Sequence, residues 1–446
     1  MKHSTHVIAV HGPILRWIEP WYAAYGILGA LASGFAALLI SLVIAGSGGS
    51  AAEIGGAVAM QNIGALSAPV WGSLADRTTA YRTIFFAGFV ILSVGFIGFS
   101  VLTGTVAWLC SAFLIGFGTG ASNTVATLFV VEFTAQAEWS ARISWLQTFN
   151  ASGSVLGMAA AGFLAPRTGM AVAAALVIPA LFLGGRGLPV PGGPVHVPHL
   201  LSGHEIAALL RHGGPSAAAL HQHRWRPAHI LRLCTELGSP FGLFLLGWFA
   251  FSLAVSSFAS LYPVLMKKSF GVPVTDAAVV MSIATVLSIP LYNLAARIVA
   301  RAGAAWALAI GYAGRLLPMA GMAVIAEVSP SHGFWGAIIL AGIFQGVWPL
   351  LSVAANDLAA SLAPFGEGPA IGLFNAAAAI GTAFGAVAAG GIVGHFGYSV
   401  VPAFAAAVIL AALLTVRGKV RRPDHVQAAA VQLRPGDGAG RRDGGA

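Results

Sequence analysis

The sequence predicts an all-α integral membrane protein with twelve transmembrane helices. Of its 446 residues, 57% are hydrophobic and only 8% are charged, with a mean hydropathy of +0.84. That composition lies outside the soluble range. Apolar blocks of about 20 residues, the length that a helix needs to cross the hydrocarbon core, recur from residue 25 to residue 416. Their apolar residues are consecutive rather than alternating, which excludes membrane β-strands.

Twelve of these blocks are predicted to span the membrane. They are residues 25–46, 54–74, 83–102, 106–130, 143–164, 168–185, 241–264, 276–296, 304–326, 334–355, 368–391 and 397–416. The sixth block is short and ends in the glycine-rich "LGGRG". Polar residues and prolines interrupt the first 24 residues, so we expect no cleavable signal peptide and a first span that stays in the membrane.

The distribution of basic residues predicts the orientation. With the N-terminus inside, 19 of the 23 Lys and Arg residues fall in cytoplasmic segments. Arg167, Lys267 and Lys268 fall outside, and Arg315 lies within the ninth span. Because basic loops stay cytoplasmic, both termini are expected in the cytoplasm, in a plasma (inner) membrane of prokaryotic type. The net charge of +9 then reflects topology and attraction to anionic lipid headgroups, and we expect no nucleic-acid partner.

Two pairs of matching segments indicate an internal duplication. "LADR" at 74–77 reappears as "LAAR" at 294–297, and "GSVLGMAAAG" at 153–162 reappears as "GTAFGAVAAG" at 381–390. The members of each pair fall on equivalent spans, which predicts two six-helix units in the same orientation. The predicted organisation is an N-terminal segment 1–24, an N-terminal half 25–185, a cytoplasmic central loop 186–240, a C-terminal half 241–416 and a basic tail 417–446 without fixed structure.

The segment "WGSLADRTTAYRT" at 71–83 carries a family signature. The major facilitator superfamily has a motif between its second and third helices that reads roughly Gly-x-Leu-Ala-Asp-Arg-x-Gly-Arg-Lys. The motif is matched here by Gly72, Leu74, Ala75, Asp76 and Arg77. Thr79 and Ala80 replace the later Gly and Arg, and Arg82 is a displaced basic residue. The chain therefore resembles this superfamily over residues 25–416, which implies two pseudo-symmetric halves and alternating access around a midplane site.

The resemblance also implies a conformational latch. In the family, the motif Asp meets the N-terminal end of the eleventh helix and the arginines bridge neighbouring helices, holding the halves together when the cytoplasmic side is closed. Here Pro369 suits the first turn of that helix, whose free N–H groups attract a carboxylate. We expect the latch to comprise Gly72, Asp76, Arg77, Arg82 and Pro369. The alternative is that these charges only mark a cytoplasmic loop.

Polar residues at mid-depth are the candidates for a substrate cavity. The candidates are Gln61, Asn62, Asn123, Gln147, Asn150, Ser256, Tyr262, Gln345, Trp348 and Asn375. A buried amide or hydroxyl is costly unless it is hydrogen-bonded, so each candidate either faces water and solute or bonds a neighbouring helix.

Ionisable groups are scarce inside the predicted spans. Glu53, Glu132 and Asp276 lie near span ends and are candidates for proton coupling, with ordinary helix-end placement as the alternative. Arg315 is the only deep charge, and we expect it to make a structural contact because the ninth helix is peripheral in the resembled family. The expected antiporter Arg of the fourth helix is replaced by Ser111 and Ala112, so the antiporter signature is incomplete.

These observations predict a secondary transporter of a small neutral or amphipathic solute, with export of drug-like or metabolite molecules favoured. Uptake or facilitated diffusion of a sugar-like solute, or a non-transporting sensor on the same fold, remain the alternatives. No catalytic constellation or phosphate-binding loop is present in the sequence, so we expect no enzyme and no cofactor. The "HQHRW" segment of the central loop lacks acidic or cysteine support, so we expect no metal site. The protein is expected to be a monomer.

Overall fold

The computed structural model describes residues 18–78, 80–133, 136–185, 238–328, 333–362 and 367–419. Within these ranges the chain is helical between short turns, and no strand occurs. The predicted basic tail lies outside the described residues apart from its first three positions, and so does nearly all of the predicted central loop with its histidines. Among the residues that are described, no group of His, Cys, Asp and Glu is arranged to hold a metal ion.

The N-terminal half contains six helical crossings. α1 runs from Trp21 to Gly46 and includes a π-helical segment, Ala30–Phe35. The others are α2 (Ala51–Ala65 and Ala68–Thr78), α3 (Tyr81–Val101), α4 (Thr105–Phe133), α5 (Gln136–Phe163) and α6 (Pro166–Ala175 and Val177–Gly185).

The C-terminal half contains six more crossings. They are α7 (Pro240–Ala259 and Tyr262–Phe270), α8 (Val274–Ala302), α9 (Ala304–Val328), α10 (Phe334–Gly346 and Trp348–Ser361), α11 (Glu367–Phe396) and α12 (Val400–Lys419). Each predicted span falls on one of these crossings. Several helices extend beyond the predicted span, because hydropathy detects only the part of a helix that lies in hydrocarbon. The clearest case is α5, which begins at Gln136 rather than at residue 143.

Nine helices of the described ranges are long and apolar enough to cross a membrane. α2 falls outside that set because its two pieces, of 15 and 11 residues, are each too short. α5 carries polar residues such as Gln147 and Asn150, and α12 has a shorter apolar stretch, Val400–Val416. α2 and α5 pack between the two halves, where polar side chains are shielded from lipid. The chain is an all-α integral membrane protein.

Glycines hold each half together at equivalent places. In the N-terminal half, α5 packs on α1, and a β-carbon on Gly153 would lie 1.7 Å from the carbonyl oxygen of Gly26. In the C-terminal half, α11 packs on α7, and a β-carbon on Gly381, the counterpart of Gly153, would lie 2.5 Å from the carbonyl oxygen of Phe249. Such close backbone approach is the small-residue packing typical of membrane helices.

Candidate functional site

The two halves touch at one end of the helix bundle. This closed end is where α2 and α8 begin and where α5 and α11 end. The contacts between the halves join α2 to α11, α5 to α8, and the last turns of α1 to the second piece of α7. A β-carbon on Gly55 of α2 would lie 2.1 Å from the carbonyl oxygen of Ala386 in α11. The backbones are therefore in direct contact across the interface.

The third glycine of each duplicated segment belongs to this closed end. A β-carbon on Gly390 of α11 would lie 2.6 Å from the carbonyl oxygen of Ala51 in α2. A β-carbon on Gly162 of α5 would lie 2.6 Å from the β-carbon of Ala278 in α8. The Thr275 hydroxyl donates a hydrogen bond of 3.1 Å to the Gly162 carbonyl oxygen. Equivalent glycines thus close the two pseudo-symmetric contacts between the halves.

The opposite end of the bundle, where α1, α5, α7 and α11 begin, is the open end. The second piece of α2, Ala68–Thr78, packs on α3 and α4 of its own half. Farther from the closed end than Gly162, the Ser282 hydroxyl of α8 lies 3.5 Å from the Val155 carbonyl oxygen of α5. Farther toward the open end, Gln147 of α5 and Val286 of α8 are both exposed. Neither of these side chains is buried against the facing half.

A cavity of about 280 Å³ lies between the halves just inside the closed end. Its lining comprises Ala32, Ala36, Ala37, Val58, Gln61, Trp248, Phe251, Ser252, Val255, Ser256, Ala259, Ser260, Trp348, Ala378 and Thr382. Gln61, Ser256 and Trp348 are among the residues that the sequence indicates as cavity candidates. None of these described lining residues carries an ionisable side chain, and the wall combines apolar side chains and aromatic rings with hydroxyls and one amide.

Irregular backbone surrounds this cavity. The π-helical segment of α1 contributes Ala32, α7 breaks at Ser260 and Leu261, and α10 breaks at Val347. Pro263 and Pro349 are each the second residue of the helix piece that follows a break. Proline lacks the N–H that would continue the preceding helix, which explains both breaks. Non-helical backbone at membrane depth is tolerated where it is buried in protein or lines a cavity, as here.

A polar cluster in the N-terminal half brings together three candidates. The Tyr25 hydroxyl of α1 donates a hydrogen bond to the side-chain oxygen of Asn123 in α4, and Gln147 of α5 hydrogen-bonds the same hydroxyl. The Asn150 amide lies 3.5 Å from the Tyr25 carbonyl oxygen. Asn123 and Gln147 are exposed, so the cluster is accessible. Tyr25 itself was missed in the sequence, because a tyrosine within an apolar block is more often a core residue.

The remaining candidates bond to protein groups or lie apart from the cavity. The Asn62 amide donates to the Val58 carbonyl oxygen of its own helix at 2.8 Å. The buried Tyr262 hydroxyl donates to the Ala277 carbonyl oxygen at 3.0 Å, and the Gln345 amide lies 3.4 Å from the Thr285 hydroxyl. Asn375 is exposed. These contacts agree with the alternative of helix–helix and intrahelical bonding, and a role in solute binding stays a prediction.

The predicted latch is described only in part. Asp76 and Arg77 fall in the second piece of α2, and Pro369 is the third residue of α11, but their side chains lie outside the described residues. Gly72 faces α4, where its β-carbon would lie 3.4 Å from the Thr124 methyl group. Arg82 donates a hydrogen bond of 3.1 Å to the Gly185 carbonyl oxygen, which ties α3 to α6 within one half. The latch stays a prediction.

Of the three coupling candidates, Glu53 has the most complete description. It is the third residue of α2 and forms a capping box with Ser50. The Thr105 hydroxyl of α4 also donates a hydrogen bond to its carboxylate. The Thr105 hydroxyl and then the Ser50 backbone N–H lower the pKa of the Glu53 carboxyl, so it stays ionised at neutral pH. Asp276 lies in the first turn of α8, and the side chain of Glu132 lies outside the described residues.

The sequence also placed Arg315 away from the site, whereas the structure brings it against the cavity wall. Its side chain is 2% exposed. Its guanidinium carbon lies 5.3 Å from the ring centre of Trp348 and 5.8 Å from that of Phe251, both of which line the cavity. A signal in the sequence was the pair Phe344 and Trp348, two aromatic residues close together on either side of the break in α10, because aromatic rings can hold a guanidinium.

A larger depression of about 1090 Å³ lies within the C-terminal half, toward the open end. Its walls come from α8, α9, α10 and α12, and they include Arg301 and Asp357. None of its lining residues belongs to the N-terminal half. Unlike the smaller cavity, it is therefore not a space between the two halves.

Comparisons with known proteins agree with this architecture. A family model described as Major Facilitator Superfamily matches residues 22–367. The nucleoside transporter NupG superposes with a TM-score of 0.70 at 14% identity, over 91% of this chain and 99% of that chain. A D-xylose-proton symporter superposes with a TM-score of 0.66 at 16% identity, over 90% of this chain and 96% of that chain.

The chain also superposes on a bacterial homolog of the human lysosomal transporter Spinster in an inward-facing and occupied conformation. The TM-score is 0.63 at 12% identity, over 91% of this chain and 95% of that chain. At these identities the likeness extends to the fold alone. No curated protein matches the sequence.

Proposed function

Because the chain belongs to the Major Facilitator Superfamily, whose members transport solutes, we propose that it exports a small neutral or amphipathic molecule by alternating access. The observation that carries this proposal is the cavity between the two halves, closed at one end by backbone-level packing. A solute that enters from the open end reaches a site that the other compartment cannot reach. Rocking of one half against the other around that site would then expose it to the opposite side.

The orientation predicted from the basic residues assigns each end of the bundle to one side of the membrane. With both termini in the cytoplasm, the open end faces the cytoplasm and the closed end faces outside. This conformation is then inward-open, in which the second piece of α2 and the start of α11 would lie apart. Asp76 would reach the first turn of α11 only in the outward-open conformation, where it would act as the latch. We further propose a monomer in a plasma membrane of prokaryotic type, in contact with anionic lipid headgroups.

The cavity supports a small solute with a large apolar part. Its volume of about 280 Å³ is close to the lower limit of roughly 300–1,000 Å³ for ligand pockets. Trp248 and Trp348 offer flat apolar faces, whereas Gln61 and Ser252 offer hydrogen-bonding groups. The exposed polar cluster around Tyr25 would guide polar groups of the solute on the path from the open end.

A solute screen in proteoliposomes tests the proposal. The purified chain would be reconstituted, and efflux and uptake of drug-like molecules, metabolites and sugars measured with and without an imposed pH gradient. Gln61→Ala and Asn62→Ala form a matched pair, because Gln61 lines the cavity and its neighbour bonds its own helix. We expect the first variant to weaken transport of the solute and the second to retain it. Equal loss in both variants, or no flux of any solute, would contradict the proposal.

A second candidate function is facilitated diffusion of a sugar-like solute. The observation that favours it is the absence of ionisable side chains around the cavity, together with a Glu53 carboxylate that stays charged at neutral pH. Flux of a neutral sugar that proceeds equally with and without a pH gradient would support this candidate and rule against proton-coupled export. Solute binding without flux would indicate the sensor alternative.

A further inference from the structure

Three hydrogen-bond donors without an acceptor surround one aromatic ring beside the cavity. The ring of Phe251 stacks on Trp248 at 5.2 Å between ring centres and on Tyr312 at 4.8 Å, and Arg315 lies over it at 5.8 Å. The indole nitrogen of Trp248, the hydroxyl of Tyr312 and the Nε of Arg315 are all buried without a hydrogen-bond partner in the described part of the chain. A buried donor without an acceptor is unfavourable, and together the three donors give the protein side of this ring a positive electrostatic potential that no described acceptor offsets.

The charge of Arg315 is not compensated by any described carboxylate. The one ion pair of the described residues joins Glu19 to Arg142, far along the sequence from Arg315. The contacts of the guanidinium are with rings: 4.0 Å to the ring centre of Phe344, and longer distances to Trp348 and Phe251. Cation–π contacts offset part of the desolvation, but the rings are neutral and the positive charge remains. An unpaired cation at membrane depth is by default a functional residue.

This charge lies one aromatic layer from the solute space. Trp248, Phe251 and Trp348 all line the cavity, and two of them lie between 5 and 6 Å from the guanidinium carbon. A carboxylate that packs on the other face of either ring would lie roughly 9 Å from that carbon, given a contact distance of about 4 Å. At an effective dielectric constant of about 20, that distance favours the anion over a neutral isostere on the order of twentyfold in affinity.

We propose that the solute is an organic monoanion, a carboxylate on an apolar or aromatic body, and that Arg315 determines this specificity through the aromatic wall. The carboxylate of the solute supplies the negative charge that no described side chain gives to Arg315, acting across the aromatic wall, and the flat rings of Trp248 and Trp348 receive its apolar body. This inference rests on the proposed transport function and narrows its solute from neutral or amphipathic molecules to amphipathic anions.

Equilibrium binding to the full chain in lipid nanodiscs tests the inference. The probes are matched carboxylate and carboxamide pairs of similar shape: benzoate with benzamide, and indole-3-acetate with indole-3-acetamide. The parent protein should bind each carboxylate on the order of tenfold to twentyfold more tightly than its amide. Arg315→Gln should bring that ratio close to one, and Arg315→Lys should retain most of it. Lys268→Gln, which removes an exposed cation at the closed end, is the control and should leave the ratio unchanged.

The ratio separates a specificity role from a structural one. Loss of packing in Arg315→Gln would weaken both members of a pair equally and leave the ratio at the parent value, which would overturn the role of Arg315. Equal or tighter binding of the amides by the parent protein, or binding of none of the carboxylates, would overturn the proposed solute class. Transport of neutral solutes in the proteoliposome screen would then still stand, so the failure of this inference differs from failure of the proposed function.

Discussion

Substitution of Gly390 should open the closed end. A β-carbon at this position would lie 2.6 Å from the Ala51 carbonyl oxygen and 2.7 Å from the Ala52 α-carbon, and backbone atoms cannot move aside as a flexible side chain can. Overpacking of this kind costs about 1–3 kcal/mol. The contact between α11 and α2 exists only while the closed end is closed, so the cost falls on this conformation alone. Gly390→Ala should therefore shift the equilibrium about fivefold to more than a hundredfold away from it.

Thiol labelling measures this shift. Val255→Cys places a reporter in the cavity, in a background where Cys110 and Cys234, the two native cysteines, are replaced by alanine. A membrane-impermeant thiol reagent added on the closed side should label the reporter at least about fivefold faster in Gly390→Ala than in the parent. Gly391→Ala is the control, because no atom lies within 4 Å of its β-carbon position. Equal labelling in Gly390→Ala and Gly391→Ala would refute the reasoning.

Three further substitutions probe the latch, the coupling candidate and the polar cluster. Asp76→Asn should favour the inward-open conformation, and unchanged labelling of the cavity reporter from the cytoplasmic side would rule against the latch. The lowered pKa of Glu53 means that its hydrogen bonds stabilise the fold at neutral pH and that this stability is lost as pH falls through the lowered pKa. Glu53→Gln should thus lower Tm at neutral pH and leave the pH profile of transport unchanged between about pH 6 and pH 8; a displaced profile would assign Glu53 to coupling. Tyr25→Phe removes the bond to Asn123 and should raise KM about twofold to tenfold with little change in Tm, since Asn123 is exposed to water; an unchanged KM would exclude the cluster from solute binding.

The sequence predicts the helices well because long apolar blocks have few alternatives in lipid. Their packing is harder to predict. Gly153 and Gly162 belong to one short motif, yet the first contacts α1 of its own half and the second contacts α8 of the other half. Spacing within the motif carries no information about that difference. The partner of each glycine depends on how distant parts of the chain pack against the motif. Arg315 shows the same limit, since its aromatic partners come from α7 and α10.

The sequence predicts which polar residues lie at the depth of the candidate site, but it does not predict which way each side chain points. Gln61 and Asn62 are adjacent in the sequence, and successive residues of a helix point about 100° apart. Gln61 accordingly lines the cavity, whereas the Asn62 amide bonds a carbonyl oxygen of its own helix. Residue type and depth alone cannot separate two such neighbours, and the orientation of each helix in the bundle decides between them.

The most direct test of the central claim is solute flux with the closed end locked. Gly162→Cys and Thr275→Cys, made together with Ala278→Gly to remove the β-carbon that lies 2.6 Å from the Gly162 β-carbon position, place two sulfurs across the interface between α5 and α8. The Thr275 α-carbon lies 3.7 Å from that same position. Flux of a transported solute would be measured in proteoliposomes, in the background without native cysteines, before and after oxidation. Alternating access predicts that oxidation abolishes flux and that reduction restores it. Mass spectrometry would verify that cross-linking is complete. Flux that continues at the same rate through fully cross-linked protein would contradict the account.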